Sequence, residues 1–491
     1  MPPTPLTRPP RRLALWLLLA VLGGQAGPAA AVEATAPDPR GALAQAVSRA
    51  GRGMTLGVHV VELGGGGEVY GYNADTRLVP ASNQKLLTTA AALELLGPSY
   101  QFQTQLGMRG ELAAGALAGD LAVRGAGDPT ISGRFEAGDP YAVFRRWAGA
   151  LRQAGVERVE GDLYLEHGLF DDVLVHPDWP AEQQMWWYEA PVAALSFNDN
   201  CMLLRAWGGR PGHPGVVETL PRLDGLLQIR NGLRTTGRGK HHWAVDRKPG
   251  SRLVTVGGEV SPRHQPLDVW VTVVDPVEYF GAALRAALAE GGVVVAGALR
   301  PVERLPGPWW TLVATHRTTL VTALDVTNKR SQNFYAESLY KLLGALRCND
   351  GSWRGGRQAL EEYLTGRLGW NADSFRLADG SGMSRHNGVT PRNLSGLLRH
   401  MFGHRWGVEY VRSLPYSGEE AGSLRKRLTE PPYRGNVFAK TGTLGGVSAL
   451  SGYAKGRSGR LYAFAIVCNR TTAWEGRRAQ DAVVQALIDH G

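Results

Sequence analysis

The 491-residue sequence predicts an α/β (α+β) domain that is interrupted by a long, mostly β insertion. Near the N-terminus, "MTLGVHVVEL" and "EVYGYNAD" are typical of two strands joined by a glycine turn. Near the C-terminus, "NVFAKTGTLGGVSALSGYAK" and "LYAFAIVCN" are typical of two apolar strands, and the helix-like "AQDAVVQALIDHG" follows them. From Gln101 to about Arg300, short strand-like pieces alternate with Gly and Pro. Similar patterns at both ends around a different middle indicate one discontinuous domain.

Helical patterns fill the rest of this discontinuous domain. The stretch "PASNQKLLTTAAALELLG" predicts a helix, because Pro80 and Ser82 suit a helix start, apolar residues recur on one face, and Gly97 ends the pattern. Three more helices are predicted after the insertion, at "SQNFYAESLYKLLGAL", "GRQALEEYLTGRLG" and "TPRNLSGLLRHMFG".

The composition is that of a folded protein without a nucleic-acid-binding surface. Hydrophobic residues make up 43% of the chain and charged residues 20%, which argues against extensive disorder. The 54 basic residues exceed the 44 acidic ones by 10, but the excess is spread along the chain without a long Lys/Arg run. We therefore expect no nucleic-acid partner and at most a mild attraction to anionic polymers.

Residues 1–31 are typical of a signal peptide. Arginines precede the ten-residue apolar run Leu13–Leu22, and small residues then lead to an expected cleavage after Ala31. The alternative is an uncleaved amphipathic anchor. No later apolar run reaches membrane-spanning length, so we expect an exported chain in the periplasm or at the outer face of the cytoplasmic membrane or cell wall.

The cysteines do not indicate a disulfide-rich scaffold or a zinc site. There are three, Cys201, Cys348 and Cys468, and they are widely scattered. One disulfide with one free thiol and three buried thiols are both compatible with the sequence.

Ser82 and Lys85 form a candidate nucleophile and base at the start of the first predicted helix. A serine hydroxyl attacks only when another group accepts its proton, and lysine accepts a proton only when its ammonium form is destabilised. Residues three apart share a helix face, so the two side chains can meet. The chain has eight lysines against 46 arginines, so a lysine here is informative. Two other Ser-x-x-Lys matches, at Ser338 and Ser423, are expected to be incidental.

Two later segments add candidate residues. "NKRSQNFYAE" places Ser331 and Asn333 around the start of a helix, and "AKTGTLGG" places Lys440, Thr441 and Gly442 in or just after a strand. Each has an ordinary structural interpretation, as a helix cap with solvated amides and as an approach to a hairpin.

Together, in the order SxxK, SxN and KTG, these segments resemble the penicillin-binding protein and serine β-lactamase superfamily. Lys85 and Ser331 are separated by 245 residues. This long interval resembles the D-alanyl-D-alanine carboxypeptidase family related to penicillin-binding protein 4, peptidase family S13, in which extra domains lie between the first two motifs. "GAGDPTI", "APVAALSFNDN", "LADGSGMSRHN" and "LPYSGEEAGSLRKR" also resemble that family. The resemblance implies a β-lactamase-like transpeptidase domain split by inserted mostly β domains. Its implied segments are 40–100 with 309–491 (catalytic), 101–196 with 274–308 (inserted domain II) and 197–273 (inserted domain III).

The resemblance also implies roles for individual residues. Ser82 would attack the carbonyl of the penultimate D-alanine while Lys85 takes its proton, and Ser331 with Lys440 would pass a proton to the departing D-alanine. Asn333 would hold the peptide. Binding of the terminal carboxylate and of the substrate backbone is implied for Lys440 and its neighbours Thr441, Gly442 and Thr443.

The resemblance implies no metal and no organic cofactor. Peptidoglycan stem peptides would be the substrates and β-lactams covalent inhibitors, with the oligomeric state left open. Gln332 departs from the family, which usually has Asp in the middle of the second motif.

Three alternatives stay open at this point. A serine β-lactamase would use similar chemistry but would hydrolyse its acyl-enzyme rapidly. A non-catalytic wall-binding protein could have kept the fold, although the intact Ser82, Lys85, Ser331 and Lys440 argue against it. Endopeptidase action on cross-links breaks the same bond type and can coexist with carboxypeptidase action.

Overall fold

The computed structural model describes residues 38–50, 53–65, 67–237, 241–307 and 310–491. The predicted signal peptide, residues 1–31, lies outside the described residues. The ten helices in the described part are α1 Arg40–Ala50, α2 Gln84–Leu96, α3 Ala142–Gln153, α4 Pro276–Glu290, α5 Leu320–Lys329, α6 Asn333–Cys348, α7 Trp353–Glu362, α8 Pro391–Gly403, α9 Gly407–Ser413 and α10 Ala473–His490.

The strands in the described part are β1 Thr55–Glu62, β2 Glu68–Tyr72, β3 Gln101–Ala113, β4 Ala116–Arg124, β5 Arg158–Val159, β6 Leu163–Glu166, β7 Cys201–Trp207, β8 Val216–Leu220, β9 Gln228–Thr235, β10 His242–Asp246, β11 Leu253–Val260, β12 Leu267–Thr272, β13 Val294–Val295, β14 Leu299–Val302, β15 Thr311–Thr319, β16 Phe375–Arg376, β17 Gly388–Val389, β18 Val437–Leu444, β19 Val447–Lys455 and β20 Leu461–Asn469.

The chain divides into two compact units. The first unit contains the residues up to Tyr100 together with Leu320–Cys348 and Trp353–Gly491, and the second contains Gln101–Thr319 and Asn349–Ser352. In the first unit, the backbone amide of Leu320 donates to the carbonyl oxygen of Tyr100 at 2.9 Å. The chain therefore leaves the first unit and returns to it at adjacent points.

A five-stranded antiparallel sheet forms the centre of the first unit. Its strand order is β18-β19-β20-β1-β2, so the two N-terminal strands pair with the last strand of the chain. Strands β19 and β20 are buried along nearly their whole length, because helices cover both faces of the sheet. Helices α1 and α10 pack with the sheet around one apolar cluster that includes Val58, Phe464 and Leu487.

Helix α2 is the most deeply buried helix near the sheet. Every residue from Gln84 to Glu94 is buried, which explains why its sequence is rich in Ala, Leu and Thr on all sides. The helix ends at Gly97, which has a φ of +82° and is followed by a proline, as the sequence predicts. This buried helix gives the residues at its N-terminus a rigid support.

The second unit is mostly β, with α3 and α4 packed against each other and against its seven-stranded sheet. Two three-stranded sheets, β10-β11-β9 and β12-β7-β8, surround a separate apolar cluster. The sequence places the return to the first unit at 309, but the structure returns at Leu320. The difference arises because β15 pairs with β3 along its whole length. The finer division of this unit into inserted domains II and III stays a prediction.

Two further sequence expectations can be compared with the described residues. Cys201 and Cys468 are buried free thiols, so the alternative of an intramolecular disulfide does not hold. In the described part of the chain, no helix combines the length and apolarity needed to cross a membrane.

Candidate active site

Ser82 lies on a short turn of 3₁₀ helix, Ala81–Asn83, directly before α2. Ala81 has a φ of +47°, in the left-handed region, which costs a non-glycine residue about 1–2 kcal/mol. The side-chain amide of Asn83 donates to Ser451 Oγ on β19 at 2.7 Å and fastens the turn to the sheet. Strain of this kind is found where the surroundings force a backbone position, often at functional sites.

The Lys85 ammonium group reaches back to Ser82. Its Nζ donates to Ser82 Oγ at 3.1 Å, to Asn333 Oδ1 at 2.6 Å and to the carbonyl oxygen of Ser381 at 2.7 Å. Lys85 is completely buried, whereas Ser82 is partly exposed. The serine is therefore accessible while the lysine beside it is shielded from water.

Burial lowers the pKa of Lys85 from its ordinary value to about 7. Removal from water disfavours the charged form, and the nearby acidic side chains Glu337 and Asp379 partly oppose that effect. At neutral pH a substantial fraction of Lys85 is unprotonated and can accept a proton from Ser82.

Ser331 and Lys440 form a second serine–lysine pair in the same site. Lys440 Nζ donates to Ser331 Oγ and to the carbonyl oxygen of Thr441, both at 2.8 Å. Burial, and secondarily the positive charge of Lys85, hold the pKa of Lys440 well below its ordinary value. Ser331 has a φ of +57°, so both serines of the site lie on or next to left-handed backbone.

Strand β18 passes close to the turn that carries Ser82. A Cβ added to Gly442 would lie 2.8 Å from the carbonyl oxygen of Pro80 and 3.1 Å from the amide nitrogen of Ser82. Any side chain at Gly442 would push the strand and the turn apart. On the same strand, Thr441 is partly exposed and donates from Oγ1 to Ser423 Oγ at 2.8 Å, and Thr443 is exposed.

The structure therefore brings together all eight residues that the sequence predicts for the site. They come from the start of α2 and the turn before it, the α5–α6 junction and strand β18, and are Ser82, Lys85, Ser331, Asn333, Lys440, Thr441, Gly442 and Thr443. Gln332, which departs from the family's second motif, lies between Ser331 and Asn333 in the chain and is buried.

A fourth segment contributes to the site: the stretch "LADGSGMSRHN" resembles the family, but no site residue was predicted in it. It is the loop at residues 377–387, between β16 and β17, which provides the Ser381 carbonyl that accepts from Lys85. Asp379 organises this loop by accepting from the backbone amides of Gly382 and Ser384. A Cβ on Gly382 would lie only 1.9 Å from the carbonyl oxygen of Ala81, so the loop touches the Ser82 turn directly.

Glu337 on α6 is the second unpredicted residue. It is fully buried, and its carboxylate accepts from the amides of Gly380 and Ser381 at 3.0 and 2.6 Å and from Trp353 Nε1 at 2.8 Å. Burial, with a smaller contribution from Asp379, raises the pKa of Glu337 to about 7. Glu337 follows Asn333 by four residues on one helix face, and this spacing is the signal that could have revealed it.

The fold and the serine–lysine geometry define a class of enzyme. A partly exposed serine in contact with a buried lysine of low pKa is the arrangement of active-site-serine hydrolases that react through an acyl-enzyme. The chain belongs to the D-Ala-D-Ala carboxypeptidase 3 (S13) family, whose model matches residues 40–489. It is a serine-type peptidase of that family.

Curated relatives match over most of their length. The D-alanyl-D-alanine carboxypeptidase of Actinomadura sp. (strain R39) is 33% identical over 458 residues, covering 89% of this chain and 82% of the relative. The D-alanyl-D-alanine carboxypeptidase DacB of Haemophilus influenzae is 27% identical over 401 residues, covering 80% of this chain and 81% of the relative.

The fold is also that of a solved structure. Penicillin binding protein 4 from Haemophilus influenzae superposes with a TM-score of 0.76 at 23% identity, covering 89% of this chain and 98% of that chain. This similarity agrees with the penicillin-binding-protein and β-lactamase-like architecture expected from the sequence.

Proposed function

We propose that the enzyme cleaves the terminal D-Ala-D-Ala bond of peptidoglycan stem peptides through an acyl-enzyme on Ser82, and that β-lactams acylate the same residue. The observation that carries the proposal is the 3.1 Å contact between Lys85 Nζ and Ser82 Oγ, made by a lysine whose pKa is about 7. The roles below are inferred from this geometry and from the family.

In the first step Ser82 Oγ attacks the carbonyl carbon of the penultimate D-alanine. A C–O bond forms while the hydroxyl proton moves to Lys85 Nζ. The negative charge that develops on the carbonyl oxygen is taken up by the backbone amides of Ser82 and Thr443. Each such donor contributes about 3–4 kcal/mol in comparable acyl-transfer enzymes.

Collapse of this intermediate breaks the C–N bond, and the departing D-alanine nitrogen needs a proton. Ser331 and Lys440, joined by a 2.8 Å hydrogen bond, relay to this nitrogen the proton that Lys85 took from Ser82. Lys85 thereby returns to its unprotonated form, which its burial also favours.

Recognition of a free C-terminus follows from the side chains of β18, because an incoming carboxylate favours the protonated form of the buried Lys440. Lys440, with Thr441 and Thr443, binds the terminal carboxylate, a charge-assisted contact. Gly442 lets the substrate backbone lie along the strand, and Asn333 holds the peptide amide. Water then attacks the acyl ester, restores the Ser82 hydroxyl and releases the shortened peptide.

We assign residues 40–100 and 320–491 to the catalytic domain, apart from the short segment 349–352, and the second unit to inserted domains. Residues 1–31 direct export, so the enzyme acts in the periplasm or at the cell wall, where peptidoglycan lies. The spread positive charge of the chain favours retention near an anionic wall.

The test is to treat the purified protein with benzylpenicillin, measure the intact mass and locate the modified peptide. We expect one stable adduct on the peptide containing Ser82, and release of D-alanine from a D-Ala-D-Ala peptide by the untreated enzyme. Rapid loss of the adduct with penicillin turnover would favour a β-lactamase. Absence of both an adduct and D-alanine release would favour a non-catalytic wall-binding protein.

A further inference from the structure

A cavity rich in cationic side chains lies beside the second and third motifs. Its volume is about 410 Å³, and we call it the basic cavity. The charged residues lining it are Lys329, Arg330, Glu420, Arg425 and Lys426. Four cations against one carboxylate make this cavity a region of positive potential on an otherwise mixed surface.

Backbone and side-chain contacts connect the basic cavity to the residues proposed to bind the terminal carboxylate. Arg330 immediately precedes Ser331 in the chain. Ser423, which also lines the cavity, donates from its amide to the carbonyl oxygen of Lys329 at 3.1 Å and accepts a hydrogen bond from Thr441 Oγ1 at 2.8 Å. The cavity therefore adjoins the end of the site where the leaving residue would lie.

The cations of this cavity differ in how they are compensated. Lys329 forms an ion pair with Glu419 at 3.2 Å. Within the ranges that the structure describes, the side chains of Arg330, Arg425 and Lys426 have neither an ion-pair nor a hydrogen-bond partner, and all three are exposed. Their positive charge is available to an incoming ligand.

We propose that the basic cavity is a subsite for an anionic side chain on the residue released by cleavage, a proposal that rests on the function proposed above. The α-carboxylate of that residue binds at Lys440 and Thr441, and its side chain leaves from the same carbon atom. A carboxylate on a short side chain therefore comes within reach of the neighbouring cavity. D-alanine, with only a methyl group, leaves the cavity unused.

The experiment compares two synthetic peptides that differ only in the charge of the released residue, one ending in D-Ala-D-Glu and the other in D-Ala-D-Gln. We expect the wild-type enzyme to favour the D-Glu peptide in kcat/KM by about fivefold, because ion pairs at exposed positions are weak. The preference should shrink as NaCl rises from about 50 to 500 mM, since salt screens exposed charges.

The Arg425→Gln/Lys426→Gln double variant should lose this preference while it releases D-alanine from a D-Ala-D-Ala peptide at the normal rate. Arg399→Gln/Arg412→Gln is the matched control, because it removes two exposed cations of the same unit that do not line the cavity. It should keep the preference. Equal cleavage of the two peptides by wild type, or an unchanged preference in the first variant, would overturn the subsite. If no peptide is cleaved and penicillin leaves no adduct, the proposed function itself fails.

Discussion

Two Ser-x-x-Lys segments of the first unit each carry a buried lysine on a helix, yet only one has the geometry of a reactive pair. Lys85 and Lys341 are each fully buried, three residues after a serine. Lys85 Nζ contacts Ser82 Oγ, whereas Ser338 Oγ donates to the carbonyl oxygen of Phe334 within α6 at 2.9 Å. Lys341 Nζ instead lies 4.1 Å from the centre of the Trp353 ring.

The difference arises from the position of each serine relative to its helix. Ser82 precedes the regular helix, so its hydroxyl is not used by a carbonyl one turn earlier. Ser338 lies in the middle of α6, where serine commonly bonds to the carbonyl four residues before it.

The largest difference in activity is expected between the variants in which Ser82 or Ser338 is replaced by alanine. Ser82→Ala should lower D-alanine release by at least about 1,000-fold and abolish the penicillin adduct, because no nucleophile remains. Ser338→Ala should keep both activities and lower stability by about 1 kcal/mol, the typical contribution of one hydrogen bond. Intact mass spectrometry with penicillin and urea unfolding measure the two results. A penicillin adduct on Ser82→Ala would remove Ser82 as the nucleophile.

A slightly smaller difference, in the rate of acylation, is expected between the variants in which Lys85 or Lys341 is replaced by arginine. Lys85→Arg keeps the positive charge but cannot accept a proton, so acylation by penicillin should slow about 100- to 1,000-fold. Lys341→Arg should acylate at close to the normal rate, since arginine also stacks on tryptophan. The acylation rate constant is measured from the time course of penicillin labelling in samples that are quenched at intervals, and circular dichroism verifies folding. Near-normal acylation by Lys85→Arg would show that another group accepts the proton.

Crowding of the Ser82 turn should have an intermediate effect. In Gly442→Ala the new methyl group meets the Pro80 carbonyl oxygen, so the strand must shift and kcat/KM should fall about ten- to 100-fold. Gly396→Ala on α8 is the matched control, because nothing lies within 4 Å of its added Cβ, and it should be neutral or stabilising. If both variants keep full activity, close approach at Gly442 is not needed for catalysis.

The smallest expected effect is a shift of the pH profile. Because unprotonated Lys85 is the active form and its pKa is about 7, acylation should rise with pH through 7 and level off above it. Glu337→Gln removes a negative charge that raises the pKa of Lys85, so the rising limb should move to lower pH. The test is the pH dependence of the penicillin acylation rate. An unchanged or upward-shifted limb would contradict this influence of Glu337 on Lys85.

Much of the fold was predictable because local patterns were clear, while the pairing of distant strands was not. The β1–β2 hairpin and helix α2 match the sequence expectations closely. Two C-terminal strands were predicted but three are present, because the first predicted strand folds back at Gly445 and Gly446 into the β18–β19 hairpin. β15 also has the pattern of a strand, but nothing in its own residues indicates that it pairs with β3. This non-local pairing is why the sequence alone does not show that the compact second unit extends to Thr319.

The site was predictable where side chains take part directly and was missed where residues act through the backbone. The serine and lysine side chains carry recognisable chemistry at a recognisable spacing. Ser381 contributes only its carbonyl oxygen, and Glu337 acts by accepting from the amides of Gly380 and Ser381. Such contributions depend on where the 377–387 loop runs, which local residue patterns do not specify.

The pairing of β1 with β20 has a consequence for the order in which the enzyme becomes active. Ribosomes make Ser82 and Lys85 long before Lys440, and β1 acquires its second neighbour in the sheet, β20, only when the last strand is synthesised. A nascent polypeptide thus carries its nucleophile without a reactive pocket. We therefore expect reactivity toward peptides and antibiotics to begin only after strands β18 to β20 have been synthesised.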